Sequence, residues 1–192
     1  MQHILAPLRG VTVRTFRAVF APALAAGGFV SCVSPFIPAL SAKVNANSLK
    51  DVLPPGEPLP CVPQAIGKDP AALRALLLAL KEAGHPRADL NAGCPYPMIV
   101  RKGRGAGLLR APDTLARMLE AGVEALGPGM LSLKVRLGVE SPRELAALMP
   151  LINRFPLACL TVHARTARHM YSGSPDLDSF FEVSAASANP VV

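Results

Sequence analysis

The stretch CVPQAIGKDPAALRALLLALKEAGHPRADLN, residues 61–91, contains one complete strand–helix–strand unit. Short apolar runs lie at its two ends, Cys61–Ile66 and Ala88–Asn91. Between them, Asp69-Pro70 is typical of a helix start and Gly84 is typical of a helix end. The leucines between these signals recur at helical spacing and predict one buried face, formed by Leu73, Leu76, Leu77 and Leu80.

The same alternation of apolar runs and helical patterns extends along the chain. Successive runs begin about 31 residues apart on average, which is the length of one strand–helix unit. Because parallel strands need a crossover helix between them, the repeat predicts a parallel sheet covered by helices. The predicted strands are His3–Ala6, Phe29–Val33, Cys61–Ile66, Ala88–Asn91, Met130–Arg136, Leu157–His163 and Pro190–Val192.

Capping residues and apolar stripes predict three further helices. Thr12 is expected to cap the first of them, with Phe16 and Val19 facing inward. Pro112 begins a second helix, and Ser141–Glu144 forms a capping box before a third. The inward residues of these last two are Leu115, Met118, Leu119 and Leu126, followed by Leu145, Leu148, Met149 and Ile152.

These units indicate an α/β fold, and the length of the chain leaves two architectures open. The eight units of a TIM (β/α)8 barrel need about 250 residues. The 192 residues hold about six units and the start of a seventh strand. The fold is therefore either an open doubly wound sheet or an incomplete TIM barrel. Since Asn189–Val192 ends inside an apolar run, we expect a truncated barrel.

Composition and charge restrict the class of protein. Hydrophobic residues make up 51% of the chain and charged residues only 17%, which excludes intrinsic disorder. The net charge of +7 favours a polyanionic partner, such as nucleic acid or a phosphorylated cofactor. The uncharged stretch Ala18–Ala42 is interrupted by prolines and glycines, so we expect neither membrane insertion nor export.

The four cysteines form no CxxC pair and no cluster with histidine in the sequence. We therefore expect no metal site and a reducing, cytoplasmic location. Cys32, Cys61 and Cys159 lie in apolar runs and are expected to pack in the core. Cys94 differs because it follows a strand and stands between a glycine and a proline. Its thiol could donate a proton or act as a nucleophile, the alternative being a small apolar side chain in a loop.

Polar or turn-forming residues follow nearly every predicted strand, where active sites of parallel folds are found. Lys134 and Arg136 are two residues apart and point to the same face, unless the pair simply lies on the surface. His163 and Arg165 share this spacing, and the pair could grip a negatively polarised ring or a phosphate. The residues of this predicted rim are Ala6–Gly10, Gln64, Asn91–Pro95, Lys134–Arg136 and His163–Arg165. The remaining histidines, His3, His85 and His169, are expected in loops or on the surface.

Two long loops are predicted, Val44–Pro60 and Pro95–Leu109. The second contains Arg101, Lys102 and Arg104 among glycines, a basic segment that would attract a phosphate backbone. Its glycine spacing and its distance from the preceding strand do not match the dinucleotide fingerprint, so a Rossmann site is not expected. A solvated, mobile loop is the alternative.

Taken together and in order, these motifs resemble those of the tRNA-dihydrouridine synthases, a family of FMN-dependent enzymes. The combination of Asn-x-Gly-Cys-Pro, Lys-x-Arg-x-Gly and His-x-Arg is the most specific part. The matching segments cover essentially the whole chain: Ala6–Thr12, Phe16-Arg17, Gln64, Leu90–Pro95, Gly105–Leu109, Lys134–Gly138, Val162–Thr166, Tyr171–Gly173 and Asp176. Leu8, Val13 and Leu177 differ from the Met, Asp and Trp that are usual in the family.

The resemblance implies a TIM barrel with FMN at the carboxyl ends of the strands. The implied flavin-binding residues are Pro7, Leu8, Gln64, Lys134 and His163, and the implied substrate-binding residues are Asn91, Arg136, Arg165, Arg101, Lys102 and Arg104. The implied reaction uses NADPH to reduce FMN, which passes a hydride to carbon 6 of a uridine in tRNA. Cys94, as the general acid, protonates carbon 5 and completes 5,6-dihydrouridine.

Members of this family continue with two further strands that bind the FMN phosphate and with a helical domain that binds tRNA. Residues 1–192 are therefore expected to be the N-terminal part of the FMN-binding catalytic domain. We expect firm FMN binding to need a longer chain or a second one. Two other functions stay open, an FMN-dependent barrel reductase of a free pyrimidine or enone and a catalytically inactive RNA-binding remnant.

Overall fold

The computed structural model describes residues 3–53 and 55–192, in which helices stand between most of the parallel strands. The strands are β1 (His3–Leu5), β2 (Phe29–Val33), β3 (Ile37–Ala39), β4 (Cys61–Val62), β5 (Gln64–Gly67), β6 (Ala88–Ala92), β7 (Leu131–Gly138) and β8 (Leu160–Thr166). The helices are α1 (Arg14–Ala26), α2 (Pro70–Glu82), α3 (Pro97–Val100), α4 (Pro112–Leu126), α5 (Arg143–Ile152) and α6 (Leu177–Ala186).

The strands form one parallel wall in chain order. One sheet has the order β1-β2-β4 and the other has the order β3-β5-β6-β7-β8. Pro63 lies between β4 and β5 and connects the two sheets, and its carbonyl accepts a hydrogen bond from the Asp89 N–H at 2.8 Å. At the far edge, Val191 forms a parallel bridge with Leu160.

This sequential strand order is that of a TIM barrel. In a doubly wound sheet the order reverses at a switch point, so that alternative is excluded. No bridge joins β1 to Val191 among the residues described, and the barrel is therefore incomplete. None of the helices in the described ranges is long and apolar enough to cross a membrane.

Most predicted strands overlap observed ones, but β3 was not predicted and several ends differ. β1 ends one residue earlier than predicted, whereas β6, β7 and β8 end later. β7 continues beyond Arg136 to Gly138, and β8 continues beyond His163 to Thr166. Lys134 and His163 are therefore within strands and not at their ends, whereas Gln64 is the first residue of β5. The apolar run of the sequence ends where the inward-facing side chains become polar. The strand itself continues, because its backbone still forms hydrogen bonds with the neighbouring strand.

The outer face of the wall is covered by the predicted leucine-rich faces of α2, α4 and α5, all of whose predicted inward residues are buried. Two predicted helix starts are confirmed. The Asp69 carboxylate accepts a hydrogen bond from the Ala71 N–H at 2.9 Å. The Glu144 carboxylate accepts one from the Ser141 N–H at 2.8 Å, as a capping box requires.

Helix α1 differs from its prediction. Val13 stands at the N-cap, and the Thr12 hydroxyl instead accepts a hydrogen bond from the Leu8 N–H at 2.8 Å. Val19, expected inside, is 66% exposed. The residue that faces inward with no exposed surface is Arg17, which an apolar stripe cannot reveal.

Arg17 ties α1 to the long loop between β3 and β4. Its Nε and Nη2 donate to the two carboxylate oxygens of Glu57 at 2.8 and 2.6 Å, and its Nη1 donates to Asp51 at 2.9 Å. The carbonyls of Thr12 and Asp51 accept the remaining bonds at 2.8 and 2.5 Å. Because every guanidinium N–H has an acceptor, the buried charge is fully compensated.

Replacing Arg17 by leucine is expected to lower the free energy of unfolding by about 3–5 kcal/mol, because Asp51 and Glu57 lose their counter-charge. Urea denaturation followed by circular dichroism measures this change. Arg74→Leu, at an exposed position of α2, is the matched control and should change the free energy by no more than about 0.5 kcal/mol. Similar values for the two variants would contradict this role of Arg17.

The two predicted long loops are more ordered than expected. Val44–Pro60 contains a 3-10 turn at Ala46–Leu49, while Pro54 of this loop lies outside the described residues. Pro95–Leu109 contains α3 and a 3-10 turn at Gly105–Arg110, in which Gly105 to Leu109 are buried. His85, expected at the surface, is also buried, and its Nε2 lies 2.8 Å from the Val52 carbonyl oxygen.

Candidate active site

A cavity of about 650 Å³ lies on the inner side of the wall. Because side chains alternate along a strand, every second residue of β5 to β8 can reach it. Eight of the twelve predicted site residues line the cavity: Pro7, Leu8, Gln64, Asn91, Cys94, Lys134, Arg136 and His163. The other four, Arg165, Arg101, Lys102 and Arg104, do not.

Register between the strands brings the polar side chains together. Asn91 of β6 pairs with Lys134 of β7, and Arg136 of β7 pairs with His163 of β8. The prediction that Lys134 and Arg136 share one face is confirmed, because both line the cavity. The surface alternative for this pair is therefore wrong.

A chain of hydrogen bonds between amides connects the floor of the cavity to Cys94. The Asn91 Nδ2 donates to Gln64 Oε1 at 2.8 Å. The Asn91 Oδ1 accepts from the backbone N–H groups of Gly93 and Cys94 at 3.1 and 2.9 Å. Asn91 thereby shapes the turn after β6 that carries the thiol.

Cys94 is held in a confined position at the edge of the cavity, with 7% of its surface exposed. Burial raises the pKa of its thiol, while the charges of Arg136 and Arg9 act in the opposite direction. The thiol is therefore protonated at neutral pH. This state suits a proton donor better than a nucleophile, which needs the thiolate.

The segment after α3 packs directly behind Cys94. The Ala106 N–H donates to the Cys94 carbonyl at 3.1 Å. A Cβ atom on Gly105 would come within 2.8 Å of the Cys94 Cβ, and one on Gly107 would come within 2.5 Å of the Val100 carbonyl oxygen. These two glycines allow the close approach, and the segment from Gly105 to Leu109 is buried against the turn that carries Cys94.

Lys134 lines the cavity and carries a buried amine. Burial lowers its pKa, and the charge of Asp89 opposes this shift. In the part of the chain that the structure describes, no hydrogen bond to the ammonium group affects this pKa. A buried ammonium group facing a cavity is suited to a ligand that carries an acceptor or a negative charge.

The guanidinium group of Arg136 donates mainly to backbone carbonyls of the protein. Its Nε donates to the Gly93 carbonyl at 3.1 Å, and its Nη1 donates to the carbonyls of Thr166 and Met170 at 2.9 and 2.5 Å. The ring of Tyr171 lies 5.2 Å from the guanidinium carbon. Arg136 therefore holds the turn before Cys94 against the loop after β8, and its role toward a substrate stays a prediction.

His163 is neutral and has a defined tautomer. Its Nε2 lies 3.1 Å from Arg165 Nη1, which can only donate, so Nε2 must be the acceptor and Nδ1 carries the hydrogen. Burial lowers the pKa of His163 to about 4, with further lowering by Arg136, Lys134 and Arg165. Arg165 also donates to the Gly173 carbonyl at 2.7 Å, so it supports His163 from outside the cavity.

The pKa of His163 predicts a specific loss of stability in acid. Between pH 6.5 and about 4 the unfolded chain binds a proton at this residue and the folded chain does not, so acidification favours unfolding. His163→Asn is expected to lose less stability than the wild type between pH 7 and pH 4.5, as measured by urea denaturation. His3→Asn, at an exposed position, is the control and should follow the wild type. Equal pH dependence in wild type and His163→Asn would contradict the prediction.

Arg101 and Lys102 are exposed directly after α3, and Arg104 is half-buried. The Arg101 Nε donates to the Pro97 carbonyl at 3.3 Å. Tyr96, just before α3, lines the cavity, so this basic segment is close to its rim. A contact of the segment with nucleic acid stays a prediction.

Sequence reasoning missed the aromatic rim of the cavity. Tyr96 and Tyr171 are 52% and 59% exposed, and both line the cavity. Arg9 lies over the ring of Phe36 at 5.4 Å on the opposite side. The chain has only two tyrosines, and their position beside two of the motifs was the signal available in the sequence.

A second group of reactive side chains lies away from the cavity, beneath α1. Cys32, Cys61 and Glu57 bring three possible metal ligands within 4.8 Å of one another. Both Glu57 oxygens already accept bonds from Arg17. Cys32 is buried as predicted, whereas Cys61 and Cys159 are half-buried. The expectation that the chain binds no metal stays a prediction.

Comparison with known proteins shows which sequences share these motifs. The sequence model of the dihydrouridine synthase (Dus) family matches residues 4–192. The tRNA-dihydrouridine synthase B of Vibrio cholerae is 31% identical over 98% of this chain, which covers 58% of that protein. The tRNA-dihydrouridine(16) synthase of Ralstonia nicotianae is 30% identical over 98% of this chain, which covers 60% of that protein.

Solved structures of the same fold are more distant in sequence. A morphinone reductase in complex with tetrahydroNAD matches 99% of this chain and 75% of its own, with a TM-score of 0.64 and 12% identity. A variant of NCR from Zymomonas mobilis matches 99% of this chain and 73% of its own, with a TM-score of 0.61 and 14% identity. At this identity the likeness concerns the fold alone.

Proposed function

This chain belongs to the dihydrouridine synthase family, and we propose that it supplies the catalytic face of an enzyme that reduces uridine in tRNA to 5,6-dihydrouridine. The observation that carries the proposal is the confined Cys94 thiol at a cavity that Lys134 and His163 also line. The chain spans 58% and 60% of the length of the two relatives described above. Their names supply the substrate, tRNA.

The cavity is suited to the ring of a flavin, and FMN is the form we propose. Three residues that line the cavity carry side-chain N–H groups suited to such a ring: Lys134, His163 and Gln64. The pyrimidine part of a flavin ring is rich in acceptors, and reduction makes it more negative. Lys134 would stabilise that charge electrostatically. Pro7 and Leu8 supply apolar contact at the cavity mouth.

Bound FMN supplies a hydride for carbon 6 of the uracil, and NADPH is the proposed source of the electrons. The remaining step belongs to this chain: Cys94 transfers its proton to carbon 5, so that hydride and proton together saturate the carbon–carbon double bond. Burial favours the protonated thiol needed for this step. The resulting thiolate lies near Arg136 and Arg9, whose charges favour its formation.

Features of the rim support a polynucleotide as substrate. The chain carries a net charge of +7, and Arg101 and Lys102 are exposed beside α3, where a phosphate backbone could bind. Tyr96 and Tyr171 offer exposed rings at the entrance for an unstacked base. Because tRNA is the substrate, the proposed location is the cytoplasm, and residues 1–192 are proposed to be the N-terminal part of the FMN-binding domain.

The proposal is tested by expressing the chain in a bacterium that lacks its own dihydrouridine synthases. Its tRNA is digested, and dihydrouridine is measured by mass spectrometry. In parallel, FMN is titrated onto the purified chain and flavin fluorescence is followed up to millimolar protein. Dihydrouridine above the empty-vector level supports the proposal. A chain that binds FMN but reduces only free uracil would contradict it and favour a free-pyrimidine reductase, and FMN-independent tRNA binding without product would favour an RNA-binding role.

A further inference from the structure

Asp89 is an acidic residue of the barrel interior to which none of the roles above has been assigned. It lies on β6 with 2% of its surface exposed. Its strand partners on the two sides are Gln64 of β5 and Ser132 of β7. The Ser132 hydroxyl donates to its Oδ1 at 2.6 Å, and the Gln64 Nε2 donates to its Oδ2 at 2.8 Å.

The two contacts of Asp89 determine which group donates and which accepts in each hydrogen bond from Gln64 to Asn91 and Cys94. A carboxylate can only accept, so the Gln64 carboxamide must turn its nitrogen toward Asp89 and its oxygen toward Asn91. The Asn91 nitrogen then donates to that oxygen at 2.8 Å, which leaves the Asn91 oxygen as acceptor for the Cys94 N–H at 2.9 Å. Reversing either amide would place donor against donor or acceptor against acceptor.

We infer that Asp89 is a positioning residue, which through Gln64 and Asn91 sets both the hydrogen-bonding face of the cavity and the position of Cys94. It does not line the cavity itself. Its effect on Cys94 is independent of any ligand, whereas its effect on FMN binding rests on the proposed function. Gln64 lines the cavity while its Nε2 is hydrogen-bonded to Asp89 and its Oε1 to Asn91.

The role can be separated from simple packing by two substitutions. Asp89→Asn keeps an acceptor for Gln64, because its oxygen can face Gln64 while its nitrogen donates to the Ser132 hydroxyl. Asp89→Leu has similar size and offers no acceptor. Leu90→Ala is the matched control, since Leu90 is buried on the opposite face of the same strand.

The first measurement is the rate at which iodoacetamide alkylates Cys94 in the folded chain, determined by peptide mass spectrometry. We expect Asp89→Leu to raise this rate about fivefold, because the turn after β6 loses its anchor, and Asp89→Asn to restore the wild-type rate. Leu90→Ala should leave it unchanged. In a double-mutant cycle, Asp89→Leu should not raise the alkylation rate beyond that of Gln64→Leu, since both substitutions interrupt the same series of hydrogen bonds.

The second measurement is FMN affinity by fluorescence titration, which should fall about fivefold in Asp89→Leu and recover in Asp89→Asn. Wild-type alkylation of Cys94 in Asp89→Leu, or equal effects of the leucine and asparagine variants, would overturn the inference. If circular dichroism shows that Asp89→Leu does not fold, Gln64→Leu takes its place and must show the same rise in alkylation. If the wild type does not bind FMN even at millimolar protein, the proposed function fails, and the alkylation rates still decide the role of Asp89.

Discussion

Replacing Cys94 by alanine is expected to lower dihydrouridine formation by about 10²–10⁴-fold, the range typical for loss of a general acid. Alanine lacks the proton that carbon 5 of the uracil must receive, but it leaves the cavity wall in place. FMN binding should therefore be retained. The measurement is the dihydrouridine content of tRNA from the deficient bacterium that expresses each variant, together with FMN titration of the purified chains.

Cys159→Ala is the matched control for this prediction. Its thiol is half-buried, stands directly before β8 and does not line the cavity. It should leave dihydrouridine formation at the wild-type level. If Cys94→Ala also kept that level, the thiol would not be the proton donor, and the conclusion drawn from its raised pKa would be wrong.

Replacing Lys134 by methionine is expected to weaken FMN binding about tenfold or more, as for the loss of a hydrogen bond from a charged donor. Methionine has nearly the length of lysine but no charge, so the cavity stays filled. The pH dependence adds a second signature. Burial lowers the pKa of Lys134, so wild-type affinity should decline with rising pH earlier than an exposed lysine would allow, and the variant should lack this decline.

Lys81→Met provides the comparison, because this lysine lies on α2 and donates to the Ala125 carbonyl at 3.3 Å, away from the cavity. Its FMN affinity should match the wild type at every pH. The role of Lys134 would be disproved by an unchanged dissociation constant in Lys134→Met. Fluorescence titration at several pH values distinguishes these outcomes.

Local patterns in the sequence were sufficient for the outer layer of the molecule. Leu73, Leu76, Leu77 and Leu80 are buried as predicted, because helix periodicity and burial against a sheet depend only on residues a few positions apart. The repeat of strand and helix also predicted the parallel wall. The expected incomplete TIM barrel is confirmed by the strand order, which excludes the doubly wound sheet.

The inner face could be predicted only in part. Cys94, Lys134 and His163 were identified from their motifs, and all three line the cavity. β7 was predicted to end two residues too early and β8 three residues too early, because polar side chains that face a cavity interrupt the apolar pattern. The roles of these residues toward a flavin remain predictions.

Long-range contacts explain the features that the sequence did not reveal. Arg17 is buried against Glu57, 40 residues away, although an arginine is normally expected at the surface. The partners of Asp89 are Gln64 and Ser132, 25 and 43 residues away. No local period connects such positions, because each pair is at least 25 residues apart in the sequence.

The sequence by itself determined the repeating units, their buried helix faces and the motif residues that could do chemistry. Only the tertiary structure decided which polar groups satisfy one another and which face a ligand. The physical reason is that hydrogen bonds across a parallel sheet join residues whose strands are connected by a crossover. The register that sets Asp89 beside Gln64 and Ser132 exists only once the wall has formed.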